Sequence, residues 1–464
     1  MRFVALAHRW LGIFGCLLFI AWFGSGIVMM YARMPEVTAL ERLASAQPLN
    51  LSAAALSPSE AAVRHHLVPQ RASAAMLRGR PVYRFQDRAQ PVLVFADSGE
   101  RFDGYSADAA LAEARRLTSQ TWPIAYDARI TEPDQWTLQS RGLLPMHRLT
   151  VGDPAGTVLY LSDVNGQLAV RTTARERRIA YAGAVVHWLY FTPLRKHGPL
   201  WNQTIIWLSI TGSVMCLLGL VWGFYTGVVS PYRGWMKWHH YTGLIFGAIT
   251  LTWVFSGLLS MDPWDWHPGT APTRGQREAF SGGPLQLSPF TLDALRAQLT
   301  AKKTAKEIEL AQFRGQPRMF IDDRPGVPID RAVLLDVARA AMPGAELSDV
   351  ALLDSYDAYY YARGADEAER PLPVLRFRFA DAVGTWLYVD PNRGAILRKE
   401  ERLTRLNRWL YHGLHSFDFP WLYSRRPLWD IVVIALTIGG IASAVTSLAP
   451  AWRRLRRHAE RLYT

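Results

Sequence analysis

The chain has 464 residues, half of them apolar, with 52 Lys and Arg against 39 Asp and Glu and a formal net charge of +13. The basic excess sits in short flanks of apolar runs and forms no binding stripe, which argues against a nucleic-acid partner. Only two cysteines occur, Cys16 and Cys216, both inside apolar runs, which excludes a disulfide framework and a thiolate zinc site.

Four stretches are long, apolar and almost free of charge: Trp10–Ala32, Pro199–Tyr232, Trp238–Met261 and Ile431–Trp452. About 20 apolar residues suffice to cross the hydrocarbon core, so four transmembrane helices are predicted. The first lacks the short apolar core and small-x-small site of a signal peptide. The amino terminus, the loop holding Arg233 and Lys237, and the tail "RRLRRHAERLYT" together carry nine bases and one acid. Residues 33–198 hold 20 bases and 15 acids, and 262–430 hold 23 of each. The positive-inside rule then predicts both termini in the cytoplasm and both large segments in the periplasm of a bacterium, with the chain in the inner membrane.

The chain is two copies of one unit. A shift of 231 carries His8 onto His239, Gly12 onto Gly243, Trp22 onto Trp253, and Ser25-Gly26 onto Ser256-Gly257. A shift of 228 carries "PMHRLTVGDPAGTVLYLSDVNGQL" (145–168) onto "PVLRFRFADAVGTWLYVDPNRGAI" (373–396). It also carries "HWLYFTPLRKHGPLW" (187–201) onto "HSFDFPWLYSRRPLW" (415–429). Each half starts inside, so the repeats are parallel and related by a pseudo-two-fold axis along the membrane normal.

The predicted organisation follows: 1–32, first span; 33–186, first external domain; 187–230, interfacial segment and second span; 231–261, cytoplasmic loop and third span; 262–408, second external domain; 409–452, interfacial segment and fourth span; 453–464, basic tail. The external segments read as α+β. "LSPSEAAVRHHLV", "SADAALAEARRLT", "TLDALRAQLTAKK" and "IDRAVLLDVARAAM" have helical spacing with Ser, Asp or Thr near their starts. "PVYRFQ", "PVLVFADSGE", "HRLTVGDPAGTVLYLSD" and "LRFRFADAVGTWLYVD" alternate as strands and break at turn residues. Two helix-on-sheet modules per half are expected, and residues 362–371 are expected to form an exposed loop.

Helix, strands and a closing "YVDPNRGAI" resemble PepSY modules. With the "HRWLG" start of the first span, the "YLSDVNGQL" turn and the "H…PLW" approaches to spans two and four, nearly the whole chain resembles the PepSY-associated transmembrane family. The resemblance implies a membrane α-helical protein with PepSY-like domains. Some members of the family are implied to be haem-containing reductases that release iron from ferric siderophores; others are PepSY proteins of unclear role. The second copy lacks a counterpart of Trp188, and the first lacks one of His412.

A histidine at a span boundary is ordinarily an interfacial residue. Duplication changes the weighing. The axis pairs His8 with His239 at one depth and His187 with His415 at another. Neutral imidazole is a common haem ligand, so two pairs suggest two b-type haems and electron passage across the membrane. No C-x-x-C-H occurs, which excludes c-type attachment. His240 adjoins His239, and His412 lies one turn before His415; both stay as alternative ligands. His65, His66, His147, His197, His267 and His458 have no repeat partner and read as surface or interface residues. Arg195, Lys196, Arg425 and Arg426 suit haem propionates, an anionic ligand or lipid headgroups. Trp264 and Trp266 suit membrane anchoring or the floor of a substrate site.

No dinucleotide fingerprint, Walker A sequence, G-x-S-x-G or H-E-x-x-H occurs, so the electron donor would be a quinol or a separate reductase. The spans lack acidic residues, which argues against a proton or cation transporter. Two functions are carried forward. One is a di-haem reductase acting on a periplasmic ferric siderophore. The other is a non-enzymatic, membrane-anchored PepSY binding or regulatory protein.

Overall fold

The computed structural model describes residues 1–462 apart from 88–89, 119–120, 303, 323–325 and 363–369. The loop expected at 362–371 therefore lies almost wholly outside the described residues. The chain divides into two units: residues 1–34, 175–268 and 403–464 form one, and 35–174 and 269–402 the other.

Four helices in the first unit are long and apolar enough to cross a membrane. They are α1 (Arg2–Met29), α2 (Gly198–Thr226), α3 (Trp235–Leu259) and α4 (Leu428–Leu462). All four start before their predicted bounds, α1 by eight residues, and α4 also ends ten residues beyond its own. The good helix formers of "RFVALAH" start α1 before Trp10. At the other end, α4 continues through the tail expected to follow it, and Arg456 pairs with Glu460 one turn on. The helices pack in a closed ring: α1 on α2, α2 on α3, α3 on α4, and α4 on α1. Small residues bring them close. A β-carbon at Gly212 would meet Val254, and one at Gly440 would meet Phe23; these two contacts are the same contact in the two halves.

In the second unit, strands β1 (Arg71–Leu77), β2 (Arg80–Asp87) and β3 (Gln90–Phe95) join β8 (Glu307–Phe313) and β9 (Gln316–Ile321) in the order β3-β2-β1-β8-β9. Two four-stranded antiparallel sheets complete it. One runs β4 (Ile124–Ile130), β5 (Met146–Val151), β6 (Val158–Ser162) and β7 (Leu168–Thr172). The other runs β10 (Leu347–Leu353), β11 (Val374–Phe379), β12 (Trp386–Asp390) and β13 (Ala395–Glu400). The expectation of two separate modules per half is corrected here. The first sheets of the two halves are one sheet, because β1 pairs antiparallel with β8.

The four predicted helices form as Pro58–Arg64, Ala107–Leu117, Leu292–Ala301 and Arg331–Ala341. Ser57, Ser106, Thr291 and Asp330 cap them by accepting free backbone N–H groups, each bond worth about 1 kcal/mol. Tyr83 and Phe85 on one face of β2 enter a core with Ala61, Leu295 and Ile308. Val82 on the opposite face joins Leu93, Ala110 and Leu149. Alternation along one strand thus serves two cores. The predicted turns form with left-handed Gly166 and Gly394 (φ 63° and 62°), where a β-carbon would strike Leu77 or Phe313.

Candidate functional site

All four duplicated histidines lie in the unit that holds the long helices. His8 stands near the start of α1 and His239 near the start of α3. Their ring centroids are 6.2 Å apart, with 24° between the planes. His8 Nδ1 lies 2.9 Å from the Met215 carbonyl oxygen on α2, and His239 Nδ1 lies 3.0 Å from that of Ser443 on α4. Met215 and Ser443 are themselves 228 residues apart, so the repeat carries each histidine together with its carbonyl.

His187 and His415 come from outside the long helices. The short helix Ala174–Ala180 and the π-helical turn Tyr181–Val185 lead to His187. The helix Arg402–Asn407 and the π-helical turn Arg408–Gly413 lead to His415. Two residues past each histidine a side-chain-bearing residue adopts the left-handed conformation, Leu189 and Phe417, both at φ 50°. π-turns and left-handed non-glycine residues are uncommon and concentrate at functional sites. Here both recur at equivalent positions.

The His187 and His415 centroids are 6.1 Å apart, with 68° between the planes. His187 Nδ1 lies 3.0 Å from the Trp22 carbonyl oxygen and 3.2 Å from Ser25 Oγ. His415 Nδ1 lies 3.2 Å from the Trp253 carbonyl oxygen and 3.1 Å from Ser256 Oγ. The "WFGSG" and "WVFSG" repeats thus hold this pair. Gly26 and Gly257 let each imidazole edge approach to van der Waals distance.

A carbonyl oxygen can only accept, so Nδ1 carries the proton in all four rings. Each Nε2 is left with a free lone pair, the form that ligates metals, with its orientation fixed by the bond at Nδ1. All four histidines are half-buried although they sit among helices. At Gly12 and Gly243, one turn beyond His8 and His239, a β-carbon would meet nothing within 4 Å. The helices leave open space beside the rings.

An imidazole nitrogen lies about 2 Å from a metal it ligates and about 1.2 Å from its own ring centroid, so two trans ligands on one metal hold their centroids about 6.3 Å apart. Both pairs match that spacing. Among the described residues no group of three or more His, Cys, Asp or Glu could hold a metal ion. A bare ion needs four or more donors, so the pairs suit a metal that brings its own equatorial ligands, as haem iron does. His8 and Trp22, whose carbonyl holds His187, lie 14 residues apart on α1, about 21 Å at the helical rise. Phe19, Phe23, Trp253 and Val254 fill the space between them.

The alternatives are placed elsewhere. His240 is buried, with Nε2 3.3 Å from the Gly223 carbonyl oxygen and its ring against Tyr232 and Tyr241. His412 packs on Tyr411, and the ring that meets His187 is that of His415. Arg195 lies over Tyr190 and Trp201, and Arg426 pairs with Asp430 over Trp429. Trp264 is 82% exposed and left-handed, and Trp266 abuts His267. His267 approaches Asp262, His458 meets Trp10, and His65 reaches the Gly99 carbonyl oxygen.

His147 departs from the surface expectation. It is 1% exposed, with Nε2 3.0 Å from Asp163 and Nδ1 3.0 Å from Tyr126 Oη. Its position on β5 alternates inward, which the strand pattern around it already implied. The π-turns had no visible signal in the sequence, because one extra residue in a helical turn leaves composition unchanged.

No family model matches the chain, and no curated protein matches it.

Proposed function

We propose that the chain is a di-haem membrane reductase of the PepSY-associated transmembrane type. It would pass electrons across the bacterial inner membrane to a periplasmic ferric siderophore. One observation carries the reading: two repeat-related histidine pairs, each at the centroid spacing of a shared metal, each with Nδ1 committed to a carbonyl and Nε2 free. An anchored binding module has no need of either pair.

When bound, haem b at each pair would supply one-electron transfer through a layer that otherwise excludes charge. The chain's own residues do the rest. Met215, Ser443, Trp22 and Trp253 fix the imidazole tautomer through their carbonyls. The glycines beside the rings keep a slot open, and the Phe19–Trp253 cluster keeps water from the space between the levels. The basic flanks of α1, of the α2–α3 connection and of α4 support cytoplasmic termini and a periplasmic acceptor side. At the acceptor, reduction to Fe(II) loosens a chelate whose hard oxygen donors favour Fe(III).

The test is purification in mild detergent, followed by oxidised and dithionite-reduced visible spectra and haem quantification. About two low-spin b-haems per chain are expected from two ligand pairs. His8→Ala and His187→Ala should each remove one. A colourless protein from haem-replete cells would overturn the reading and leave an anchored PepSY binding module.

A further inference from the structure

The two halves of the external unit differ at one place by a strand. "LRGRPVYRF" (77–85) and "FRGQPRMFI" (313–321) are the same hairpin at a shift of 236, with Arg78-Gly79 and Arg314-Gly315 left-handed at the turn. After it the first half continues into β3, which pairs with the outer edge of β2. The second half has no such strand. Phe102 and Ile329 are equivalent, since a β-carbon at Gly166 would meet Leu77 and Phe102, and one at Gly394 would meet Phe313 and Ile329. Phe85 and Phe102 lie 17 residues apart, Ile321 and Ile329 only eight. The second half is shorter by the length of a strand and its turn, and β9 ends the sheet.

What β3 does in the first half shows what β9 lacks. Val92 and Val94 join the core of Tyr83 and Phe85, which are fully buried. Met319 and Ile321 hold the equivalent places on β9 and are only half-buried. On the other face of β3, Phe95 stands opposite Val82 and shares a core with Leu77 and Phe102. Their counterparts Phe313, Arg318 and Ile329 line a cavity of about 460 Å³ instead. Asp322 N donates to the Glu307 carbonyl, so alternation turns the backbone groups of Met319 and Ile321 away from β8. No strand among the described residues pairs with that side.

Charge says what would fit. In the first half Arg80 lies over the Phe95 ring and pairs at 2.7 Å with Asp97, two residues on. Around the cavity the guanidiniums have no carboxylate partner. Arg314 is exposed at the turn, and the Arg318 Nη2 donates to the Val327 and Asn392 carbonyls while its Nε is buried without a hydrogen bond. Among the described residues no carboxylate lies within ion-pair distance of either. Asp390, whose charge reaches Arg318, is committed to the N–H groups of Asn392 and Arg393.

We propose that the outer edge of β9 is the docking site for an extended, acidic segment of a partner protein. The segment adds as an antiparallel strand in the position that β3 fills in the first half. Its backbone pairs with Met319 and Ile321, a large apolar side chain enters the cavity beside Arg318, and a carboxylate two residues on meets Arg314. Strand addition supplies affinity through the main chain, and a pocket for an alternate side chain supplies specificity.

The probe is the chain's own template, a fluorescent peptide "QPVLVFADS" (90–98), titrated by anisotropy into the full chain in detergent, with a scrambled peptide as the baseline. The wild type should bind the template above that baseline. Met319→Pro removes an outward N–H at an edge where proline is tolerated, and it should weaken binding about ten-fold or more. Arg314→Glu should weaken it to a similar extent, the scale of one lost charge-assisted hydrogen bond, and a peptide carrying Asp97→Lys should restore it. Hydrogen exchange at β1 and β8 checks that the sheet is intact in each variant; should Met319→Pro disturb it, the charge swap at the exposed Arg314 decides. No binding above the scrambled peptide overturns the proposal, as does binding that neither variant changes. If sedimentation instead shows a dimer that Met319→Pro dissociates, the edge serves a second copy of the chain and the proposal fails. The readout does not involve haem, so a colourless protein leaves this test standing.

Discussion

Gly219 has no room for a β-carbon: one built there would lie 2.5 Å from His8 Cε1. The Met215 carbonyl, one turn back on α2, holds the same Cε1–Nδ1 edge of the ring, so the ring cannot retreat from a methyl group there without losing its tautomer lock. Gly219→Ala should therefore displace His8, at a cost of about 1–3 kcal/mol in overpacking, and, if that pair holds haem as proposed, lower haem content at that pair alone. Haem quantification with the reduced spectrum checks it: loss towards one haem per chain, with the His187–His415 signal kept, is the expected outcome. The same residue-by-residue view explains why the adjacent His239 and His240 differ. They point about 100° apart on one helix: His239 faces His8, and His240 turns to the Gly223 carbonyl on α2.

Between residue and fold stand the elements, and here the external sheet gives a prediction of its own. Glu307 on β8 lies 2.9 Å from Arg42 and 3.8 Å from Arg84 on β2, so it ties the two halves across the β1–β8 seam. Burial alone would raise its carboxyl pKa, but the Arg84 and Arg42 guanidiniums more than reverse this and hold it below the ordinary value. A depressed carboxylate contributes stability that is complete above its unfolded pKa and is lost as pH falls through the folded one. Hydrogen exchange at β1 and β8, corrected for intrinsic rates, should therefore accelerate below about pH 4.5, the ordinary glutamate range. Glu307→Gln should abolish that acid dependence and start from a lower stability; an acid response that survives the substitution would assign it to another group.

Helix starts were legible because side-chain caps are local: Ser57, Ser106, Thr291 and Asp330 announce them. The four long helices were legible from apolar length, and the histidine pairs from duplication. β1 was not. "RASAAML" has few branched or aromatic residues, and it becomes a central strand through its neighbours β2 and β8. The π-turns before His187 and His415 were equally hidden. They depend on what packs around a residue and not on the residue itself.

For the whole molecule, one pseudo-two-fold relation organises the helix ring and both histidine levels, yet the levels are not copies of each other. The planes of His8 and His239 differ by 24°, those of His187 and His415 by 68°. The angle between axial imidazoles sets how the d-orbitals of a bound ferric iron split. If each pair holds haem iron as proposed, two distinct low-spin electron paramagnetic resonance signals are expected, the more anisotropic belonging to the His187–His415 level. His187→Ala should remove that one first; a single signal from a protein carrying both haems would contradict the geometry.

The seam between β1 and β8 has a further consequence. Ala72 pairs with Leu310, Ser73 with Glu309 and Ala74 with Ile308. The register is self-complementary, as at the interface of a two-fold dimer. Cut the chain between the repeats and each fragment would carry a bare sheet edge at the place where its twin belongs. Such edges recruit strands indiscriminately. Tethering both copies in one polypeptide raises the local concentration of the right partner, so the covalent link is itself a safeguard against promiscuous association.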